Sequence, residues 1–198
     1  MNVMTSGRFA NCVLLAVALV ALGAACSGAT EPTAVPDDSR ANEFDQRLIA
    51  LTYELARTAT SEGNPPFGAI LVHGDSILLQ VTNTSRTTGD ITRHAESGLI
   101  SDASRQFGRK FLAECCLYTS SEPCVMCTGA IRWAGIPRVV YGTPQNLHGR
   151  FQEIPCREVL ERIAPEIEVV GPILQEEGAK IRRSFRPGGW QGGKDWAK

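Results

Sequence analysis

Apolar side chains recur at helical spacing at Phe44, Leu48, Leu51, Leu55 and Ala59, which predicts a helix over residues 42–61. Gly63-Asn64-Pro65-Pro66 breaks it. Two short apolar runs, 69–72 and 77–81, flank His73-Gly74-Asp75 and read as a hairpin. Residues 90–92 offer caps for a helix over 94–107. Residues 115–119 read as a buried strand. Pro123 fits the first position of a helix, where its missing N–H costs nothing, and that helix runs to about Trp133. A strand at 138–141, a helix at 157–163, a strand at 168–170 and a helix at 174–185 complete the pattern. The expected fold class is α/β: a three-layer α-β-α domain with a mixed central sheet of about five strands flanked by helices.

The chain has 198 residues, enough for one domain with a core, and a net charge of −1. A balance this close to zero argues against a long nucleic-acid footprint, because phosphate contacts need clustered Lys and Arg. The N-terminus differs from the rest. Residues 1–8 carry one basic side chain, residues 9–22 are almost wholly apolar, and Gly23-Ala24-Ala25-Cys26 follow. This pattern describes a secretory signal over residues 1–25, the apolar run being marginal for a membrane span, which needs about 20 residues. Leu22-Gly23-Ala24-Ala25-Cys26 is similar to a bacterial lipoprotein cleavage site, with Cys26 the lipidated residue; cleavage after Ala25 without lipidation is the alternative. Export is therefore expected, to a lipoprotein, periplasmic or extracellular location. Residues 26–41, small and polar with Pro32 and Pro36, read as a flexible tether. The folded domain spans 42–186, and residues 187–198 form a loosely ordered tail.

Two short stretches carry the chemistry: His94-Ala95-Glu96 and Pro123-Cys124-Val125-Met126-Cys127. A catalytic zinc site takes three protein ligands and leaves one position open for water. His94, Cys124 and Cys127 supply three, and cysteines three apart on a helix share one face. A helix start also favours thiolates, through its free N–H groups and positive end. Two thiolates cancel the charge of Zn²⁺, so water in the open position is acidified less than in an all-histidine site, where its pKa falls to about 7. A neighbouring carboxylate must then take the proton, and Glu96 is the candidate. Cys-x-x-Cys alone also suits a redox disulfide or a structural zinc site, but His-x-Glu upstream of Pro-Cys-x-x-Cys is the signature of zinc deaminases.

With these residues, and with Pro66-Phe67-Gly68-Ala69-Ile70-Leu71-Val72, Asn83 and the run Ser121-Glu122-Pro123-Cys124-Val125-Met126-Cys127-Thr128-Gly129-Ala130, the chain resembles the cytidine deaminase-like superfamily. It is most similar to the branch holding guanine deaminases, tRNA adenosine deaminases and nucleoside deaminases. The resemblance implies one Zn²⁺ per chain on His94, Cys124 and Cys127, with Glu96 as proton shuttle. It also implies substrate contacts from Asn83, from Phe67 and from the backbone of Ala95. By their own residue chemistry, Phe67 equally suits plain core and Asn83 a turn. The resemblance further implies a homodimer. Arg93 departs from the family pattern. The acidic and aromatic residues that guanine deaminases place after the last matching strand are absent from 143–150, where His148 is either a substrate contact or a solvated loop residue.

The expected activity is hydrolytic deamination of a small-molecule purine or pyrimidine, as base or nucleoside, with guanine or a related purine first. Nucleic acid is not an expected partner, and membrane contact is expected only through a lipid on Cys26. The alternatives are tRNA adenosine-to-inosine editing, cytosine or cytidine deamination, and a zinc module without catalysis. The basic cluster from Ile181-Arg182-Arg183 to Arg186 is expected to be a solvated charged face, the alternative implied by the resemblance being a grip on RNA by the last helix. Trp133 is expected to be a buried helix-end residue, with a place in the pocket wall the alternative. Cys115, Cys116 and Cys156 read as small core residues, with only one of the adjacent pair Cys115 and Cys116 turned inward; a disulfide among the three is the alternative.

Overall fold

The computed structural model describes residues 42–145 and 154–185. The segments expected to be a signal (1–25), a tether with Cys26 (26–41) and a tail (187–198), and His148, lie outside the described residues.

Helix α1 (Glu43–Ser61) opens on a capping box: Asn42 Oδ1 accepts from Asp45 N at 2.9 Å, and the Asp45 carboxylate faces Asn42 N. Strands β1 (Gly68–His73) and β2 (Ser76–Thr82) form the predicted hairpin. After the single turn α2 (Ser85–Thr88) come α3 (Ala95–Gln106), the short α4 (Arg109–Leu112), β3 (Cys115–Ser121), α5 (Val125–Ala134), β4 (Arg138–Thr143), α6 (Cys156–Ile163), β5 (Glu168–Val170) and α7 (Gln175–Ser184). The sheet order is β2-β1-β3-β4-β5, antiparallel across β2-β1-β3 and parallel across β3-β4-β5. The parallel half needs crossover helices, and α5 and α6 supply them.

Side chains alternate across each strand and divide the core in two. Leu71, Leu117, Val139 and Val169 face one way and pack with Leu99 of α3, Ile131 of α5 and Leu160 of α6. Ile70, Tyr118, Val140 and Val170 face the other way and pack with Leu48, Ile49 and Tyr53 of α1 and Ile181 of α7. Helices on both faces make the expected three layers. The same alternation corrects one expectation: Cys115 is buried in the first cluster while Cys116 packs against the second, because both faces of β3 are covered. Cys156 is also buried, and all five described cysteines are free thiols. Gly68 lets β1 run directly beneath α1; a methyl group there would collide with Leu55 Cβ.

Three local expectations change. The residues at 90–92 do not cap α3: Asp90 instead accepts from Thr92 N and Oγ1 in its own turn, and His94 is the N-cap. Pro123 lies one residue before the N-cap of α5, which is Cys124 in an extended conformation (φ −68°, ψ 168°). Trp133 is not buried: it is 73% exposed, with the Arg132 guanidinium 5.4 Å from its ring centroid. On α5 it falls on the face that Val125 and Met126 also expose, eight and seven residues earlier.

Candidate metal centre and substrate pocket

Two helix N-termini meet at the site. His94 is the N-cap of α3 and Cys124 the N-cap of α5, with Cys127 in the first turn of α5. His94 Nδ1 lies 3.7 Å from Cys124 Sγ and 3.7 Å from Cys127 Sγ. The three ligand atoms all fall within 4.8 Å of one another. Zinc bonds of 2.0–2.1 Å to nitrogen and 2.3 Å to sulfur, spread tetrahedrally, place nitrogen and sulfur about 3.6 Å apart. The donor set therefore fits zinc in both chemistry and spacing. The first-turn N–H groups and the positive helix end favour negative sulfur there. A hydrogen bond from the Cys127 thiol holds the Cys124 thiol far below its ordinary value, with His94 adding to this against the effect of burial.

Glu96 stands beside the ligands and is not one of them. Its Oε2 lies 3.6 Å from Cys127 Sγ, and its Oε1 accepts a 3.0 Å hydrogen bond from Thr119 Oγ1. It is only 5% exposed. Burial pushes its carboxyl above the ordinary carboxylate value, against its own backbone hydrogen bond and the pull of His94 and Thr119. Raised affinity for a proton suits a group that must take one and return it. Thr119 escaped the sequence reading, although its signal is visible: it continues the inward face of Cys115 and Leu117 on β3, where an apolar residue is the rule.

The proposed substrate contacts lie on segments bordering this centre. Asn83 follows β2 and is 1% exposed. Its Oδ1 accepts from Ser85 N at 2.9 Å and Ser85 Oγ at 2.8 Å, which makes the turn into α2. Its Nδ2 is buried and has no hydrogen-bond partner among the described residues, as is the case for Nδ2 of Asn64. Asn83 is thus a turn residue with its amide donor unspent in the described structure. Phe67 is half-buried and packs against the first core cluster, and its carbonyl accepts from Asn83 N at 2.9 Å. Ala95 is fully buried and opens α3, where the first N–H groups have no helical partner.

Two buried polar residues tie neighbouring segments together. Asn64, read from the sequence only as part of a helix break, is fully buried, and its Oδ1 accepts from Arg86 N, Thr87 N and Thr87 Oγ1. Glu122, the residue before Pro123, is 8% exposed and accepts from Cys156 N at 2.9 Å and Gln145 N at 3.2 Å. It ties the lead-in of the zinc helix to the end of β4 and to the start of α6. Arg182 departs from the expected solvated face, which Arg183 keeps, while Arg186 lies outside the described residues. Arg182 is half-buried and donates to Pro144 O at 2.8 Å and Gln145 O at 3.1 Å.

Residues 42–143 match the cytidine and deoxycytidylate deaminase zinc-binding region. The chain belongs to this family. It is 34% identical over 165 residues to a probable cytosine deaminase of Schizosaccharomyces pombe, covering 77% of this chain and 96% of that protein. It is 45% identical over 76 residues to guanine deaminase of Bacillus subtilis, covering 38% of this chain and 49% of that one. A solved structure from work on A-to-I editing by tRNA:A34 deaminases at the wobble position superposes with a TM-score of 0.58 at 29% identity, covering 68% of this chain and 98% of that one. The family and the His94, Cys124 and Cys127 cluster give one zinc ion per chain.

Proposed function

We propose that the protein is a zinc-dependent hydrolase that removes the exocyclic amine of a free nucleobase or nucleoside as ammonia. The observation that carries this is the placement of the buried Glu96 carboxylate 3.6 Å from Cys127 Sγ, beside three ligand atoms at zinc spacing. When bound, the metal supplies a Lewis acid at the open position. Glu96 takes a proton from the attacking water and delivers it to the ring nitrogen next to the amine-bearing carbon. It then transfers the second water proton to the departing amine, so ammonia leaves and a carbonyl remains. Thr119 holds Oε1 of Glu96 and so aims the other oxygen at the reacting centre. Asn83 Nδ2 supplies a donor to a ring nitrogen or carbonyl of the base, Phe67 lies against its face, and the α3 N-terminus at Ala95 borders it.

Guanine or a related purine is the first substrate, supported by the 45% identity over 76 residues to a guanine deaminase. Cytosine is the second, favoured by the near end-to-end similarity to a probable cytosine deaminase. The test is ammonia release from a panel of guanine, adenine, cytosine and their nucleosides. E96Q is expected to bind one zinc and lose turnover by at least about a thousandfold, since both proton transfers pass through this group. Normal turnover by E96Q overturns the mechanism. Salt-sensitive binding and deamination of an RNA hairpin, with no free base turned over, moves the assignment to editing.

Two further features belong to the same reading. The apolar face of Val125, Met126 and Trp133 supports a homodimer through α5. Light scattering is expected to give twice the chain mass, and a monomeric wild type removes this assignment. The sequence of residues 1–26 supports export with lipid on Cys26; the mass of the native N-terminus tests it.

A further inference from the structure

Arg182 is the feature that neither the sequence pattern nor the family motif accounts for. Its helix is pinned in register. Gly178 packs so tightly that a Cβ would stand 2.5 Å from Tyr53 Cε1 and 2.6 Å from Thr143 Cγ2. Tyr53 Oη, in turn, donates to Ile173 O and Leu174 O at the start of α7. Arg182 is four residues on, so it projects from the same face one turn further along. That places its guanidinium at the end of β4, where it donates to Pro144 O at 2.8 Å, to Gln145 O at 3.1 Å and to Ser121 Oγ at 3.4 Å. The same group lies 5.8 Å from the centroid of the Phe67 ring, within cation–π range. On the far side of the turn, Glu122 accepts from Gln145 N. The turn is therefore gripped by a cation from the last helix and by an anion from the lead-in to the zinc helix.

We propose that Arg182 is a positioning residue for the base pocket: it fixes the Phe67 ring and the Pro144–Gln145 turn together, so that the last helix sets the fit of the heterocycle. This rests on the reading that Phe67 lines the pocket. A planar guanidinium reaches two successive carbonyls and an aromatic ring at once, which a lysine ammonium does not. Displacing one pocket wall weakens substrate fit while leaving the metal ligands and Glu96 in place.

The test is a double-mutant cycle of R182M and F67L in the zinc-loaded full chain, using the base of the panel with the highest ammonia release. R182M is expected to raise KM about tenfold with kcat changed less than about twofold and zinc content unchanged, and R182K to resemble it. F67L is expected to raise KM similarly, and adding R182M to F67L to cost less than about twofold more. A KM effect for F67L with none for R182M, additive effects of the two, or full rescue by R182K overturns the proposal alone. An unchanged KM in F67L overturns the pocket reading and the proposal with it. If no base is turned over by the wild type, the functional reading fails, and hydrogen exchange at the Gln145 amide judges the clamp: faster exchange in R182M supports it, and unchanged exchange overturns it.

Discussion

Thr119 illustrates how a single side chain decides what a buried carboxylate can do. Glu96 is held in an environment that resists its charge, and burial is the largest influence on it. The Thr119 hydroxyl offsets part of that cost and fixes one of the two oxygens at 3.0 Å. A hydrogen bond to a charged group contributes about 1.5–3 kcal/mol. T119V keeps the volume on β3 and removes the donor. We expect T119V to lower kcat about tenfold or more at pH 7, with one zinc still bound, as read by steady-state kinetics and metal analysis. An unchanged kcat means that Glu96 is positioned by packing alone. The metal ligands and Glu96 were legible in the sequence because their chemistry demands particular residue types at particular intervals. Thr119 was marked only as a polar residue on an inward strand face, and nothing local marks Glu122 or Arg182, because all three act across the fold. Their partners lie 23, 34 and 38 positions away.

Elements are joined on the opposite side of the sheet by one charged cluster. Asp45, in the first turn of α1, is fully buried and accepts from Arg138 of β4 through both oxygens, at 3.0 and 2.9 Å, and from Tyr118 of β3 at 2.7 Å. Burial works to raise its carboxyl, but the bonds from Arg138 and Tyr118, the Arg138 charge and the Asn42 backbone outweigh it, and the net shift is downward from 3.8. A carboxyl whose folded value is depressed contributes stability in full above its unfolded value. That contribution is lost as pH falls through the folded value. The domain is thus expected to hold this part of its stability down to about pH 5 and to lose it below about pH 4. Removing one partner of a buried pair costs about 3–5 kcal/mol. D45N is expected to lose that much in urea unfolding at pH 7 and to show a shallower acid limb than the wild type. A D45N variant as stable as the wild type at pH 7 refutes this. Helix and strand types were legible from apolar periodicity, since each strand or helix buries its own regular face. The single-turn helices α2 and α4 were missed because four residues cannot display a period. The cap of α3 was misread because Asp90 satisfies its own turn and leaves the N-cap to a zinc ligand.

Across the whole molecule, the sheet separates the half that holds the metal centre from a half built around the Asp45–Arg138–Tyr118 cluster. One core cluster takes in α3, α5 and α6 and so includes both helix N-termini of the metal centre; the other joins α1 and α7 around Tyr53 and Tyr118. Among the described residues the zinc ligands come from the first half, one from the α3 cap and two from the first turn of α5 with its cap. A metal that binds the folded state and not the unfolded chain adds stability by mass action. Its removal leaves two sulfurs and an imidazole facing one another, yet it takes nothing from the Asp45–Arg138–Tyr118 cluster. Chelation is therefore expected to act unevenly. Hydrogen exchange is expected to speed up at residues 94–98 and 124–128, while the amides of β3 and β4 around Tyr118 and Val140 keep their protection. The melting temperature is expected to fall by several degrees and to recover when zinc is restored, because about 1 kcal/mol shifts a domain of this size by 2–4 °C. Equal loss of protection on both faces of the sheet contradicts this division, and means that the metal centre holds the entire fold together.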